Sequence, residues 1–168
     1  KGMFILQLDS DDQLLPNAIE ELLKSIKDRP KVSCVYGRHN KFNSENNELS
    51  EAWHVPKFTR TRMLFGMIVH HPRLFRKRDW AKVGGFSERL QNAVDYDFFQ
   101  KLSEVGELIH IDKILYNYTI HSQSTSLRKK KIQTQNTLLV MRSALNRMNL
   151  SQWNVTKDYS FPMERAVE

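Results

Sequence analysis

Met3-Phe4-Ile5-Leu6-Gln7-Leu8-Asp9-Ser10-Asp11-Asp12 is the stretch that decides the fold. The nearly continuous apolar run over residues 3–8 predicts a strand covered on both faces, as in α/β sheets, and it stops abruptly in acid. Carboxylates at the carboxyl end of a buried strand lie where open α/β sheets bind ligands, because the loops there leave a crevice. Immediately downstream, Pro16 stands at the first turn of an amphipathic helix predicted over residues 16–27, with Ile19, Leu22, Leu23 and Ile26 at i, i+3, i+4 and i+7.

Working outward, residues 32–36 predict a short strand and residues 43–47 a polar turn. Thr59 is placed to cap a short helix, and residues 67–69 read as another buried strand. Residues 80–83 end against Gly84-Gly85, a pair suited to positive φ. A second amphipathic helix is predicted over residues 95–105, with Phe98, Phe99 and Leu102 inward and Gly106 as its stop. Short strands follow at 109–111 and 114–118. Leu138, Met141, Leu145 and Met148 then make residues 128–148 one long helix, ahead of an aromatic-containing tail over 151–168.

The chain has 168 residues, which suits one domain or part of a larger one, and 40% hydrophobic with 27% charged residues excludes disordered and collagen-like classes. The longest apolar run, residues 63–69, is interrupted by Gly66 and is too short to span a bilayer, so any membrane role is expected to be peripheral. No secretory signal opens the sequence. Cys34 is the single cysteine, excluding an internal disulfide or a cysteine-based zinc site. It reads as a structural thiol in a reducing, cytoplasmic setting. A net charge of +7 favours anionic partners such as nucleotides, acidic polysaccharide or phospholipid headgroups; nucleic acid has only that charge in its favour and is not an expected partner.

Asp9-Ser10-Asp11 offers the hard oxygen ligands that Mg²⁺ or Mn²⁺ prefers while substrate phosphates complete the shell; the same acids would equally serve to cap the next helix. A second Asp-x-Asp, Asp95-Tyr96-Asp97, heads a helix. Asp97 reads as a helix cap, whereas Asp95, if aimed into a sugar site, could take the proton of an attacking hydroxyl. His121, just beyond a strand, could supply a third metal ligand. His70 and His71 could line the same crevice, with packing or hydrogen bonding as the role of one of them. Arg128-Lys129-Lys130-Lys131 opens the long helix at the end where the dipole disfavours positive charge. A nearby diphosphate or acidic chain would justify the run, as would simple solvation.

Taken in order, the Asp9-Ser10-Asp11-Asp12 strand end, residues 80–88 around Gly84-Gly85-Phe86, Asp95-Tyr96-Asp97 at a helix start and His121 closely resemble family 2 glycosyltransferases of GT-A fold. Residues 92–106, Tyr116-Asn117 and the 67–71 stretch are similar to the second transferase domain of bacterial hyaluronan and chondroitin polymerases. The resemblance implies an α/β fold with a mixed sheet and flanking helices, a UDP-sugar donor, a glycan or polysaccharide acceptor, Mn²⁺ or Mg²⁺ as cofactor, and inversion by direct displacement. Glucuronic acid is the first donor sugar expected, an N-acetylhexosamine the second. Carried over by position, Asp11 is the principal metal ligand, Asp9 lies near ribose and metal, His121 is a further ligand and Asp95 is the general base. Asp12, Gly85, Phe86, Glu88, His70, His71, Arg128 and Lys129 are the expected substrate contacts. Val94 stands where the wider family has Glu before the base, a variation that the polymerase subgroup shares.

Residues 1–127 are thus expected to form a catalytic region without its nucleotide-binding first half, and 128–168 a helix and tail. An edge left by that missing half predicts self-association through the sheet and little nucleotide binding by these residues alone. The rival class is a non-catalytic transferase-like module that binds anionic polysaccharide or the inner face of the cell membrane. A phosphohydrolase of Asp-x-Asp-x-Thr type fits less well, because Gln13 stands where its Thr would be.

Overall fold

A computed structural model describes residues 2–52, 57–122 and 130–153. Its strands are β1 (Phe4–Gln7), β2 (Gln13–Leu14), β3 (Val32–Asn43), β4 (Glu48–Glu51), β5 (Arg73–Arg76) and β6 (Glu107–Ile120), and its helices α1 (Ala18–Ile26), α2 (Arg60–Phe65), α3 (Lys77–Lys82), α4 (Val94–Val105) and α5 (Lys130–Arg147). The strands form one sheet in the order β1-β5-β3-β6-β2, with β4 pairing on β3. β3 and β6 run parallel, and the other pairings are antiparallel.

Period-two alternation sorts the central strands between two cores. Cys34, Tyr36 and Phe75 face one side, where Phe98, Phe99 and Leu102 of α4, Met63 of α2 and Leu138, Val140 and Met141 of α5 complete a buried cluster. Val35, Leu74 and Leu115 face the other, where α1 brings Ala18, Leu22 and Ile26. Helices on both faces of a mixed sheet make this an α/β fold. Cys34 is fully buried, and burial pushes its thiol far above the ordinary range, as suits a packing residue.

Several elements differ from the sequence expectation. β1 is half-buried along its length rather than covered on both faces, because among the described strands it pairs only with β5. Residues 67–69 are inside the protein without being a strand; Ile68 and Val69 are buried in the coil that leads into a cis His71–Pro72 bond. The predicted short strands at 109–111 and 114–118 are one strand, β6, which follows β3 through register shifts. The strand predicted at 32–36 runs on to Asn43, and the polar turn after it closes the β3–β4 hairpin. Helix α1 starts at Ala18, behind Asn17 in the left-handed region at φ 66°, so the acids at 9–12 do not cap it. Thr59 does cap α2, its Oγ1 accepting from the Arg62 N–H at 3.1 Å. Gly84 and Gly85 take φ of 80° and 67°, and a Cβ on Gly85 would lie 2.9 Å from the Trp80 ring, so this turn requires glycine. No helix among the described residues is long and apolar enough to cross a membrane.

Candidate active site

Four chain segments that are far apart in sequence converge at one end of the strands: the loop after β1, the approach to β5, the start of α4 and the end of β6. Asp12 is the internal anchor. Its carboxylate accepts from the Tyr116 hydroxyl at 2.8 Å and from the Thr119 backbone N–H at 2.7 Å, tying the acidic loop to β6. Burial raises its pKa against the lowering effect of those two hydrogen bonds, with Asp11 and Asp9 adding repulsion. The Tyr116 oxygen also accepts from the Asp9 N–H at 3.3 Å, and the Thr119 hydroxyl donates to the Asp11 carbonyl.

With the loop so held, Asp9 and Asp11 remain about half exposed, at 45% and 50%. The Asp11 carboxylate sits 3.2 Å from the His121 Nε2, and the Asp9 carboxylate 4.0 Å from the His71 Nε2. Two of the residues expected to share a metal, Asp11 and His121, are therefore brought together. Asp9, Asp12 and His71 form a second group, with one ligand atom from each lying within 4.8 Å of the others. The carboxylate oxygens of both groups are the donors that Mn²⁺ or Mg²⁺ prefers, with an imidazole beside each, so the residues fit a divalent cation.

The ring of His71 stacks on that of Tyr116, centroids 5.1 Å apart and planes 13° from parallel. Burial and the Arg73 cation lower its pKa to about 2, so the imidazole is neutral and its free ring nitrogen can accept. Arg73 Nη2 lies 3.1 Å from Nε2 and 3.3 Å from Nδ1 of that ring. His70 is held to about 3, first by burial and then by the neighbouring His39.

Arg73 itself is buried, stands over the Phe99 ring at 5.0 Å, and donates through Nη1 to Asp95 Oδ2 at 3.2 Å. The other oxygen of Asp95 accepts from the Tyr96 N–H at 2.8 Å, while 40% of the side chain stays open to solvent. Asp97 does not cap α4 as expected from the sequence. It is buried and pairs with Lys101 at 2.6 Å, and the N-cap position belongs to Ala93, which adopts φ 61° and offers no side-chain hydrogen bond.

Gly85 is buried in its turn, and Phe86 packs its ring 4.5 Å from Phe98. Glu88 is exposed. Among the described residues, none of these three makes a hydrogen bond or ion pair with the acids or with Asp95. Arg128 and Lys129 lie outside the described residues. Arg73 and Thr119 are site residues that the local motifs do not single out, and Tyr116, quoted only for the resemblance, gains its role as the anchor of Asp12 from the structure. The available signals were an arginine opening the Leu74-Phe75 pair of a buried strand and a tyrosine amid the aliphatics of β6, each an unusual companion for a core.

Residues 1–83 match the model of glycosyl transferase family 2. That segment belongs to glycosyl transferase family 2. The chain is 41% identical over 154 residues to hyaluronan synthase of Pasteurella multocida, covering 92% of this chain and 16% of that protein. It is 39% identical over 153 residues to chondroitin synthase of Escherichia coli, covering 91% of this chain and 22% of the synthase. The chain thus spans only about a fifth or less of the length of these relatives. The solved structure of S. aureus TarS 1-349 aligns with 94% of this chain and 52% of its own, at TM-score 0.55 and 15% identity, which identifies the fold as GT-A-like. The family resemblance drawn from the acidic strand end, the double glycine and the second Asp-x-Asp is the one these comparisons return, and the acids of the first lie within the matched segment.

Proposed function

We propose that this chain is part of a glycosyltransferase that moves a sugar from a UDP-sugar to a glycan or polysaccharide acceptor, with inversion at the anomeric carbon. The observation that supports it most is the continuous run of contacts from Asp9 through His71 and Arg73 to Asp95, which sets acids suited to a diphosphate-bound cation beside a half-open carboxylate suited to a proton. Asp95 acts as the general base: its carboxylate, on a side chain 40% open to solvent, accepts the proton of the acceptor hydroxyl as the hydroxyl oxygen attacks the anomeric carbon. Asp9 and Asp11 hold the divalent cation, with His121 as the imidazole ligand beside Asp11 and Asp12 fixing the loop beneath them. When bound, that cation supplies neutralisation of the charge that develops on the departing diphosphate. Glucuronic acid is the first donor sugar to test and an N-acetylhexosamine the second, on likeness to proteins named hyaluronan and chondroitin synthases.

The test is a screen of sugar nucleotides with and without Mn²⁺ on the intact protein, followed by transfer assays with the binders. Asp11→Ala is expected to remove the Mn²⁺ dependence of UDP binding, and His121→Ala to weaken it at unchanged melting temperature. Mn²⁺-independent binding in both variants and the parent would overturn the metal assignment.

A further inference from the structure

We infer that Arg73 is a positioning residue for Asp95, an inference that rests on the proposed role of Asp95 as the base. Asp95 sits in the first turn of a helix that opens without a side-chain cap, and 40% of its side chain is exposed, so packing alone leaves its carboxylate free to turn. Its two oxygens are nevertheless both engaged: Oδ1 by the Tyr96 N–H of the same turn and Oδ2 by Arg73 Nη1. The first bond is local and moves with the helix. The second comes from β5 and ties the carboxylate to the sheet.

Arg73 is equipped for that task. It lies opposite Gln7 of β1 and Tyr36 of β3 in the central register, with its side chain only 5% exposed. Phe99 receives the flat guanidinium from one side, and the neutral His71 ring accepts its second arm. A planar cation with both arms spoken for has one orientation, which a lysine ammonium on a flexible stem would not reproduce. The same fork fixes the distance between Asp95 and the loop that carries Asp9, so the base and the acids keep one spacing. Ground-state binding of a donor does not need that spacing, whereas proton transfer in the transition state does.

The test compares wild type, Arg73→Lys, Arg73→Met, Asp95→Asn and the double variant Arg73→Lys/Asp95→Asn of the intact protein, with donor binding followed by calorimetry as a readout independent of turnover. Arg73→Lys keeps a buried cation and serves if Arg73→Met fails to fold. The expected result for Arg73→Lys is a kcat lowered by roughly 10-fold or more at donor affinity and KM within about 2-fold of wild type, and for Arg73→Met a loss nearer 100-fold, the scale of a misplaced proton acceptor. Guanidinium ion is expected to restore part of the Arg73→Met loss, and the double variant to be no slower than Asp95→Asn. If Asp95→Asn loses turnover while Arg73→Lys keeps wild-type kcat, Arg73 has no positioning role although the base assignment stands. If Asp95→Asn keeps its turnover, the functional reading falls and this inference falls with it.

Discussion

The chain contains two Asp-x-Asp segments, and the backbone beneath them gives the same letters opposite meanings. Asp9 and Asp11 lie in a loop, and both carboxylates stay half exposed at the end of the strands. Asp95 and Asp97 lie on a helix, where residues two apart point about 200° from each other. Asp95 consequently reaches the site, while Asp97 turns inward to its ion pair with Lys101. A pair at that spacing can converge on one cation from a loop but not from a helix. The supports differ too: the first segment rests beside a neutral buried imidazole, the second on the buried guanidinium of Arg73.

The largest effect that would sharpen this contrast is in turnover. Asp95→Asn is expected to lower kcat by roughly 10²–10⁴-fold with donor binding retained, whereas Asp97→Asn leaves kcat within a few-fold of the parent. Equal losses in the two variants, measured by steady-state kinetics, would break the comparison.

Acid provides the next. His70 and His71, held to about 3 and about 2, bind no proton when folded but do so near 6.5 once unfolded. Since the unfolded chain then carries more protons, the stability these two rings contribute is complete above about pH 6.5. It is lost as pH falls toward 3, by up to ~1.4 kcal/mol per pH unit for each ring. Urea unfolding at pH 7 and pH 5 is expected to show that slope, and His70→Gln to flatten it; a parallel slope in the variant would assign the acid sensitivity elsewhere.

Asp97→Ala follows, with an expected stability loss of about 1–3 kcal/mol from the stranded Lys101 and the emptied buried site. Thermal or urea melts measure it. The smallest effect belongs to the residue that launches the second segment. Ala93 pays for φ 61° with steric strain, so Ala93→Gly is expected to change stability by less than about 1 kcal/mol, because relief of strain and loss of unfolded-state restriction nearly cancel. A large loss there would mean that the buried methyl, not the backbone, sets the start of α4.

What the sequence made legible follows from how local the cause was. Helix α4, with Phe98, Phe99 and Leu102 inward, and the Thr59 cap are dictated within one or two turns, and both stand nearly as periodicity and capping chemistry require. The half-burial of β1 and the coil at 67–69 depend on which strands lie alongside, which no local pattern states. The acids of the site announced themselves by type and position. Arg73 and the anchoring role of Tyr116 and Asp12 did not, because a buried arginine and a tyrosine within a strand acquire meaning only from partners across the sheet. Asp12 and Asp11 are adjacent, yet one carboxylate is fixed inside by β6 while the other stays half exposed beside His121.

The hydrogen bonds from Tyr116 and Thr119 to Asp12 join residues 104 and 107 positions apart, through a strand whose parallel partner, β3, also lies far back in the chain. Such closures are slow, since much chain must be ordered before they are rewarded. The acidic loop receives its final shape only when β6 docks, so ligand-binding competence is expected to be among the last properties acquired on folding. In a refolding experiment, protection of the Thr119 amide and recovery of Mn²⁺-dependent binding should rise together, behind the burial of Phe98 and Phe99.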